Sequence, residues 1–267
     1  MGCNLIAGRY NAMVNHQYIK QISLEEIISK ILLVVIAILP ILYFHIIKDI
    51  PIKAFIFGAG SWGIGSIFKI FAHQLVVKKL SNKKTNNLNV SIANGFVSGI
   101  SELGGAFLII LLVIALKKFT FTFDSILAFG IGIGSLETLL VVYKNTSALL
   151  KGTSLEESSI KFEEAFKIME MHNHFIIIYI PIIERILATL IHISTRGLVF
   201  ITVFSQNIFP TIIAIVVFII ADGFLGYNYL VNNKLITKKG LNKFYYYLFI
   251  LTIISFTIFI ILIQPYM

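Results

Sequence analysis

Four acidic residues lie inside segments that are otherwise apolar enough to cross a membrane. They are Glu102, Glu137, Glu184 and Asp222, and each belongs to a different segment. A carboxylate at the centre of a bilayer costs about 2.5–3.5 kcal/mol even on the lenient insertion scale. An intramembrane acid is therefore a functional-site hypothesis by default, and we expect the function to lie where the four acids converge.

Basic residues accompany these acids. Lys69 lies in the second apolar segment, and the fifth segment carries polar residues on one helical face at positions i, i+4, i+7 and i+11. These are Arg185, Thr189, His192 and Arg196. Counted from the segment ends, Lys69 and the four acids lie at the midplane or in the half nearer the predicted cytoplasmic side. This predicts one polar pocket, open toward the cytoplasm.

Each of these residues also has a purely structural interpretation. Buried charges often pair only to fix helix positions, as Arg185 would with Glu102, or Asp222 with Lys69. His192 taken alone is best explained as an interhelical hydrogen-bond partner. For any single residue the structural interpretation is favoured, whereas the whole set favours a functional pocket.

The elements that must position these residues are seven apolar segments. The chain has 267 residues, of which 57% are hydrophobic and 13% charged, against about 25% charged residues in soluble domains. The segments are about 29–47, 53–77, 91–116, 125–143, 175–204, 208–231 and 244–263. Backbone groups must be paired in lipid, so each segment is predicted to be a helix. The fold class is therefore all-α, a polytopic bundle of about seven transmembrane helices.

The Lys and Arg residues between the segments set the predicted orientation. Fifteen lie on the side of the N-terminus and four on the other side, which predicts a cytoplasmic N-terminus in the cell membrane. We expect a cytoplasmic N-terminal segment over 1–28 and one transmembrane domain over 29–263. Within it, a cytoplasmic helical loop is expected at about 145–174, where Ser154 and Glu157 form a capping-box pattern.

Charge and cysteine content exclude several functions. The net charge of +9 comes mostly from basic residues in the loops, so no nucleic-acid partner is expected. Cys3 is the only cysteine, which rules out a disulfide framework and a thiolate metal site. We expect no metal and no cofactor. The lipid bilayer is the expected environment, and another membrane protein or a membrane-embedded peptide is the candidate partner.

Four stretches follow known patterns in order along the chain. Residues 98–107 (SGISELGGAF) are similar to A-G-x-x-E-E-x-x-R-F, residues 130–137 (GIGIGSLE) to G-x-G-H-G-x-x-E, residues 184–188 (ERILA) to E-R-x-x-A, and residues 214–222 (AIVVFIIAD) to A-x-x-x-H-x-x-x-D. In these stretches the chain resembles the YhfC family of glutamic-type intramembrane proteases, within the CAAX-protease-like (CPBP-like) superfamily. The resemblance implies that a glutamate activates water while histidines assist or bind the oxyanion. Glu102 would then be the base.

The chain departs from the family patterns at positions that matter for hydrolysis. The second glutamate is Leu103, the arginine is Ala106, and the two histidines are Ile133 and Phe218. Peptide hydrolysis needs donors at the developing oxyanion, and one such donor contributes about 10²–10³ in rate. The sequence therefore predicts a catalytically impaired, hydrolase-like pseudoenzyme.

Three functions stay open at this stage. The first is binding or regulation of a membrane partner through the polar pocket. The second is an active, divergent intramembrane endopeptidase with Glu102 as base and His192 as its assistant, which requires these two side chains within about 4 Å or one bridging water. The third is a proton-coupled transporter or carrier, although the sequence shows no inverted repeat.

Overall fold

The structure, a computed structural model, describes residues 24, 27–77, 79–80, 87–116, 122–150, 174–231 and 238–267. In these ranges every regular element is a helix. The helices are α1 (Ile27–Ile47), α2 (Ile52–Ala72, continued by a π-helical turn His73–Val77), α3 (Asn87–Ala115), α4 (Phe123–Leu150), α5 (His174–Ser205), α6 (Phe209–Phe218, continued by a π-helical segment Ile219–Val231) and α7 (Lys238–Ile263).

The predicted all-α polytopic bundle is confirmed. Six helices, α1 to α5 and α7, are long and apolar enough to cross a membrane. The sixth predicted span, 208–231, is not among these six, because its apolar helix runs only from Phe209 to Leu225. Its α-helical part ends at Phe218, and the π-helical segment begins at Ile219. The predicted loop at 145–174 contributes the end of α4 and the first residue of α5. Its remainder and most of the predicted N-terminal segment 1–28 lie outside the described residues.

Helix α5 lies at the centre of the bundle. In its most apolar 18-residue window 72% of the residues are buried, against 17% in α1 and 33% in α7. It packs against α3, α4, α6 and α7, while α2 packs against both α3 and α4. A central helix surrounded by protein on most sides can carry polar residues, since those side chains find partners on neighbouring helices and avoid lipid.

Close backbone contact joins α2 to α3 beside the predicted site. A Cβ atom added to Gly65 would lie 2.7 Å from Glu102 Cα and 2.9 Å from the Ser101 carbonyl oxygen. Only a residue without a side chain permits this approach, which is the usual role of small residues between membrane helices. The contact brings the last two turns of α2, where Lys69 lies, against the middle of α3.

A tight turn connects α5 to α6. Gln206 adopts a positive φ of 56°, and the Phe209 amide donates to Asn207 Oδ1 at 3.0 Å. The Thr211 amide and hydroxyl both donate to Thr202 Oγ1, at 3.0 and 2.8 Å. These bonds hold the start of α6 against the end of α5, and the two helices are in contact.

Candidate functional site

The predicted polar face of α5 points into the bundle. His192 and Arg196 are buried and Arg185 is partly buried. Each of the three binds a carboxylate on a neighbouring helix. Thr189, between them, donates to the Arg185 carbonyl oxygen at 2.8 Å. Two groups of ionisable side chains form along this face.

The first group is the Glu102 cluster, which comprises Lys69, Ser98, Glu102, Arg196 and Asp222. Lys69 Nζ donates to Glu102 Oε1 at 2.9 Å and to Asp222 Oδ2 at 3.0 Å. Arg196 Nη2 donates to Glu102 Oε2 at 2.8 Å. Ser98 Oγ lies within hydrogen-bond distance of both carboxylates. Both oxygens of Glu102 are therefore occupied by cationic donors.

The pair of Arg196 and Glu102 is the most deeply buried part of this cluster. Arg196 is 0% exposed and Glu102 is 3% exposed. Arg196 Nη1 also donates to Thr195 Oγ1 at 3.0 Å, and the guanidinium carbon lies 5.0 Å from the centroid of the Phe218 ring. Water is thus replaced around the guanidinium by a carboxylate, a hydroxyl and an aromatic face.

The π-helical segment after α6 carries Asp222, and side chains of α3 hold this segment. Asn94 Nδ2 donates to the Asp222 carbonyl oxygen at 2.9 Å. Ser91 Oγ donates to the Gly223 carbonyl oxygen at 2.6 Å. In a π-helix the backbone bonding shifts by one residue, and such stretches are frequent at functional sites. Here the π-helical segment contains Asp222, whose carboxylate contacts Lys69 of α2 and Ser98 of α3.

The second group is the Glu137 cluster, which comprises Glu137, Glu184, Arg185, His192 and Tyr245. Arg185 Nη1 lies 3.0 Å from Glu137 Oε1, and its Nη2 lies 2.5 Å from Glu184 Oε1. His192 Nε2 lies 2.7 Å from Glu137 Oε2. Tyr245 donates from α7 to Glu184 Oε2 at 3.3 Å. The cluster therefore joins α4, α5 and α7.

His192 is held through one ring nitrogen only. A carboxylate accepts but does not donate, so the hydrogen of this bond lies on Nε2, facing Glu137. In the imidazolium Nδ1 also carries a hydrogen, whereas in the neutral Nε2–H tautomer Nδ1 is an acceptor. Nδ1 is buried and finds no hydrogen-bond partner within the described residues. In this tautomer the dyad presents a basic nitrogen, oriented by a carboxylate, as a general base requires.

The two clusters adjoin at α5. His192 lies one helical turn before Arg196, and Glu137 and His192 both lie close enough to Glu102 to act on it electrostatically. The Glu102 cluster holds two basic and two acidic side chains, whereas the Glu137 cluster holds one guanidinium, two carboxylates and an imidazole. Across the described ranges, no group of three or more His, Cys, Asp or Glu could hold a metal ion.

The predicted pairings have mixed outcomes. The pairing of Asp222 with Lys69 is confirmed. The pairing of Arg185 with Glu102 is wrong, because Arg185 binds Glu137 and Glu184. Glu102 is instead bound by Arg196, which lies about 16 Å farther along the axis of α5 at about 1.5 Å per residue.

The candidate catalytic pair, Glu102 and His192, is not joined by a hydrogen bond, and His192 binds Glu137 instead. Three residues of the two clusters are absent from the predicted pocket, namely Ser98, Arg196 and Tyr245. Ser98 lies within the stretch 98–107 that resembles a family pattern, but it was not assigned to the pocket. The sequence does indicate a buried role for Arg196, since this residue lies on the predicted polar face of α5. No such indication exists for Tyr245, because an aromatic residue near a helix end is typical of any membrane protein.

The four departures from the family patterns all lie in the apolar core. Leu103, Ala106, Ile133 and Phe218 are each between 0 and 3% exposed and belong to one buried hydrophobic cluster. None of them supplies a side-chain donor or acceptor. The four altered positions therefore add hydrocarbon to the core and no polar group to the site.

Comparisons with known proteins do not bear on the resemblance. No protein-family model matches the chain. Searches of curated proteins and of solved structures give no significant match. The function is therefore argued from the geometry of the two clusters.

Proposed function

We propose that the chain is a multi-pass protein of the cell membrane with the fold of the YhfC-like intramembrane proteases and a cytoplasmic N-terminus. In this proposal it has lost peptide hydrolysis and uses its polar core to bind or regulate another membrane protein or a membrane-embedded peptide. The observation that carries the proposal is the state of Glu102, whose two carboxylate oxygens are bound by Lys69 and Arg196.

A carboxylate in this state is a poor general base. To accept a proton from water it needs a free lone pair aimed at that water, and two adjacent cations favour its ionised, bonded form. The apolar side chains at the four altered family positions also supply no side-chain donor for an oxyanion. Loss of the base and loss of the donors support the same conclusion.

Binding is supported by the charges that remain partly exposed. The side chains of Lys69, Asp222, Glu137 and Glu184 are 33, 36, 27 and 37% exposed. Charged groups exposed within a membrane span are costly unless another polar group covers them. A partner helix with a complementary polar residue would lower that cost, because polar groups associate across membrane helices.

A photocrosslinking experiment tests the binding proposal. A photoreactive phenylalanine analogue is placed at Ile70, beside Lys69, and as a matched control at Ile56, on the same helix. The two positions are 59 and 60% exposed. We expect one discrete adduct from Ile70 in native membranes, none from Ile56, and loss of the adduct when Asp222→Asn and Glu102→Gln are introduced. An adduct that survives both substitutions, or that forms equally at Ile56, contradicts the proposal.

Hydrolysis is the second candidate, and the hydrogen bond between His192 and Glu137 is the observation that favours it. Proteoliposomes containing transmembrane reporter peptides distinguish the two. We expect the reporters to stay intact with the parent protein. Cleavage that Glu102→Gln abolishes would establish a glutamic-type protease. Cleavage that survives Glu102→Gln but is lost with His192→Gln would assign the base to His192.

A further inference from the structure

Two buried polar atoms on α5 lack a hydrogen-bond partner within the described part of the chain. They are His192 Nδ1 and Arg196 Nε. His192 is 6% exposed and Arg196 is 0% exposed, so bulk solvent does not reach them. Buried polar groups in native proteins almost always have a partner, either a protein group or an ordered molecule. The two atoms therefore point to a bound group.

The two atoms are complementary. In the neutral tautomer whose Nε2 donates to Glu137, His192 Nδ1 is an acceptor, whereas Arg196 Nε–H is a permanent donor. The residues lie one turn apart on the same helix, about 6 Å along its axis.

We propose that His192 is neutral and that its Nδ1, together with Arg196 Nε–H, binds one hydroxyl group. A hydroxyl donates its proton to Nδ1 and accepts from Nε–H with a lone pair. A carbonyl oxygen has no proton for Nδ1, and an ammonium group has no lone pair for Nε–H. The chemistry thus selects an O–H group, which belongs either to a water molecule or to an alcohol of a ligand.

The remaining bonds of both residues hold the site in place. Glu137 fixes the imidazole, while Glu102 and Thr195 fix the guanidinium. A hydroxyl at this position would lie between a proton acceptor and a cation, the arrangement that polarises an O–H bond. The inference is independent of the proposed function, because the two atoms require a partner whether or not another membrane protein binds.

Nitrogen NMR of the full chain tests the site. The protein is labelled with ¹⁵N at the histidine rings and reconstituted in lipid nanodiscs, and His192→Gln identifies the His192 signals. If that variant does not fold, removal of the other five histidines identifies them by elimination. We expect a protonated Nε2 and an unprotonated Nδ1 whose shift is that of a hydrogen-bonded acceptor. His45 is an internal reference, since its Nδ1 lies 2.9 Å from the carbonyl oxygen of Ile50 and must be protonated to bond there.

The source of the hydroxyl is identified by magnetisation transfer to the His192 ring. Transfer from water protons identifies a bound water. Transfer from carbon-bound protons that disappears after extraction and reconstitution in fresh lipid identifies a ligand alcohol. Arg196→Lys keeps a cation for Glu102 but removes Nε–H, and we expect it to move the Nδ1 shift toward that of a free acceptor. A free-acceptor shift in the parent, transfer only from protein protons, or no change with Arg196→Lys would each overturn the proposal.

Discussion

The Glu102 and Glu137 clusters share helix α5 but differ in how deeply their central carboxylate is buried. In the Glu102 cluster each carboxylate oxygen of Glu102 has a cationic donor, and the central pair with Arg196 is almost wholly buried. In the Glu137 cluster both carboxylates are bound as well but are partly exposed. Each cluster contains one buried nitrogen without a partner among the described residues, Arg196 Nε in the first and His192 Nδ1 in the second. Both groups sit among apolar helices, so the surrounding hydrocarbon does not explain the difference.

The comparison teaches that a buried carboxylate need not mark the reactive atom of a site. Glu102 is the base that the family resemblance implies, and in the structure it is the most buried acid among the described residues. Its pairing with Lys69 and Arg196 instead makes it a structural anchor that joins α2, α3, α5 and the π-helical segment. The neighbouring His192 is different, because its buried Nδ1 has no partner among the described residues.

The largest expected effect comes from breaking the buried pair. We expect Arg196→Met to lower the free energy of unfolding by about 3–5 kcal/mol, because it leaves the Glu102 carboxylate buried with half of its cationic partners. Thermal unfolding in detergent, followed by the fluorescence of Trp62, the only tryptophan, measures the change.

The matched control for this substitution is Arg185→Met in the Glu137 cluster. Its two carboxylate partners are 27 and 37% exposed and can be solvated after the substitution, so the loss should be clearly smaller. Adding Glu102→Gln to Arg196→Met should recover part of the stability by removing the uncompensated charge. Equal losses for the two arginine variants would mean that the clusters do not differ in the way described.

An intermediate effect is expected from filling the glycine contacts behind each cluster. Gly65→Ala places a Cβ 2.7 Å from Glu102 Cα, and the backbone of α3 cannot move away without separating the helices. We expect a loss of about 1–3 kcal/mol, the range typical of overpacking. Gly63→Ala, on the same helix, meets nothing within 4 Å and should be neutral or slightly stabilising.

The corresponding glycine of the Glu137 cluster meets a side chain. A Cβ at Gly134 would lie 2.3 Å from Thr189 Oγ1 and 2.7 Å from its Cγ2. Thr189→Ala should therefore recover part of the loss caused by Gly134→Ala, whereas no single side-chain truncation should recover Gly65→Ala. Unfolding temperatures of the five variants decide this. Full recovery of Gly65→Ala by a side-chain change would show that α2 and α3 are less closely joined.

Sequence reasoning predicted the helices better than the contacts between them, for a physical reason. A span reveals itself locally, because about 20 consecutive apolar residues are needed to cross a bilayer. Which acid meets which base depends on helix rotation and crossing angle, which no single segment encodes. The depth of each residue in its span was enough to pair Lys69 with Asp222 correctly. It paired Arg185 with the wrong carboxylate, since Arg185 binds Glu137 and Glu184. The change from α- to π-helix after Phe218 was not predicted, since no proline marks it and the one charge near it, Asp222, was assigned to the pocket.

The smallest effect is expected from the partly exposed acids, and it defines the limits of the comparison. The side chains of Glu184 and Asp222 are 37 and 36% exposed and belong to different clusters. After Glu184→Gln or Asp222→Asn, the basic partner keeps its other carboxylate, Glu137 for Arg185 and Glu102 for Lys69. We therefore expect each amide variant to change the free energy of unfolding by no more than about 1 kcal/mol, as for other exposed ion pairs. Unfolding of the two variants side by side tests this, with Arg196→Met as the reference for a large loss.

If Asp222→Asn approached that reference while Glu184→Gln did not, the two clusters would differ in their exposed members as well. The bonds and burial of Glu102 alone would then no longer explain why the two clusters differ in stability. The contacts among α2, α3 and α6 would instead contribute to stability together.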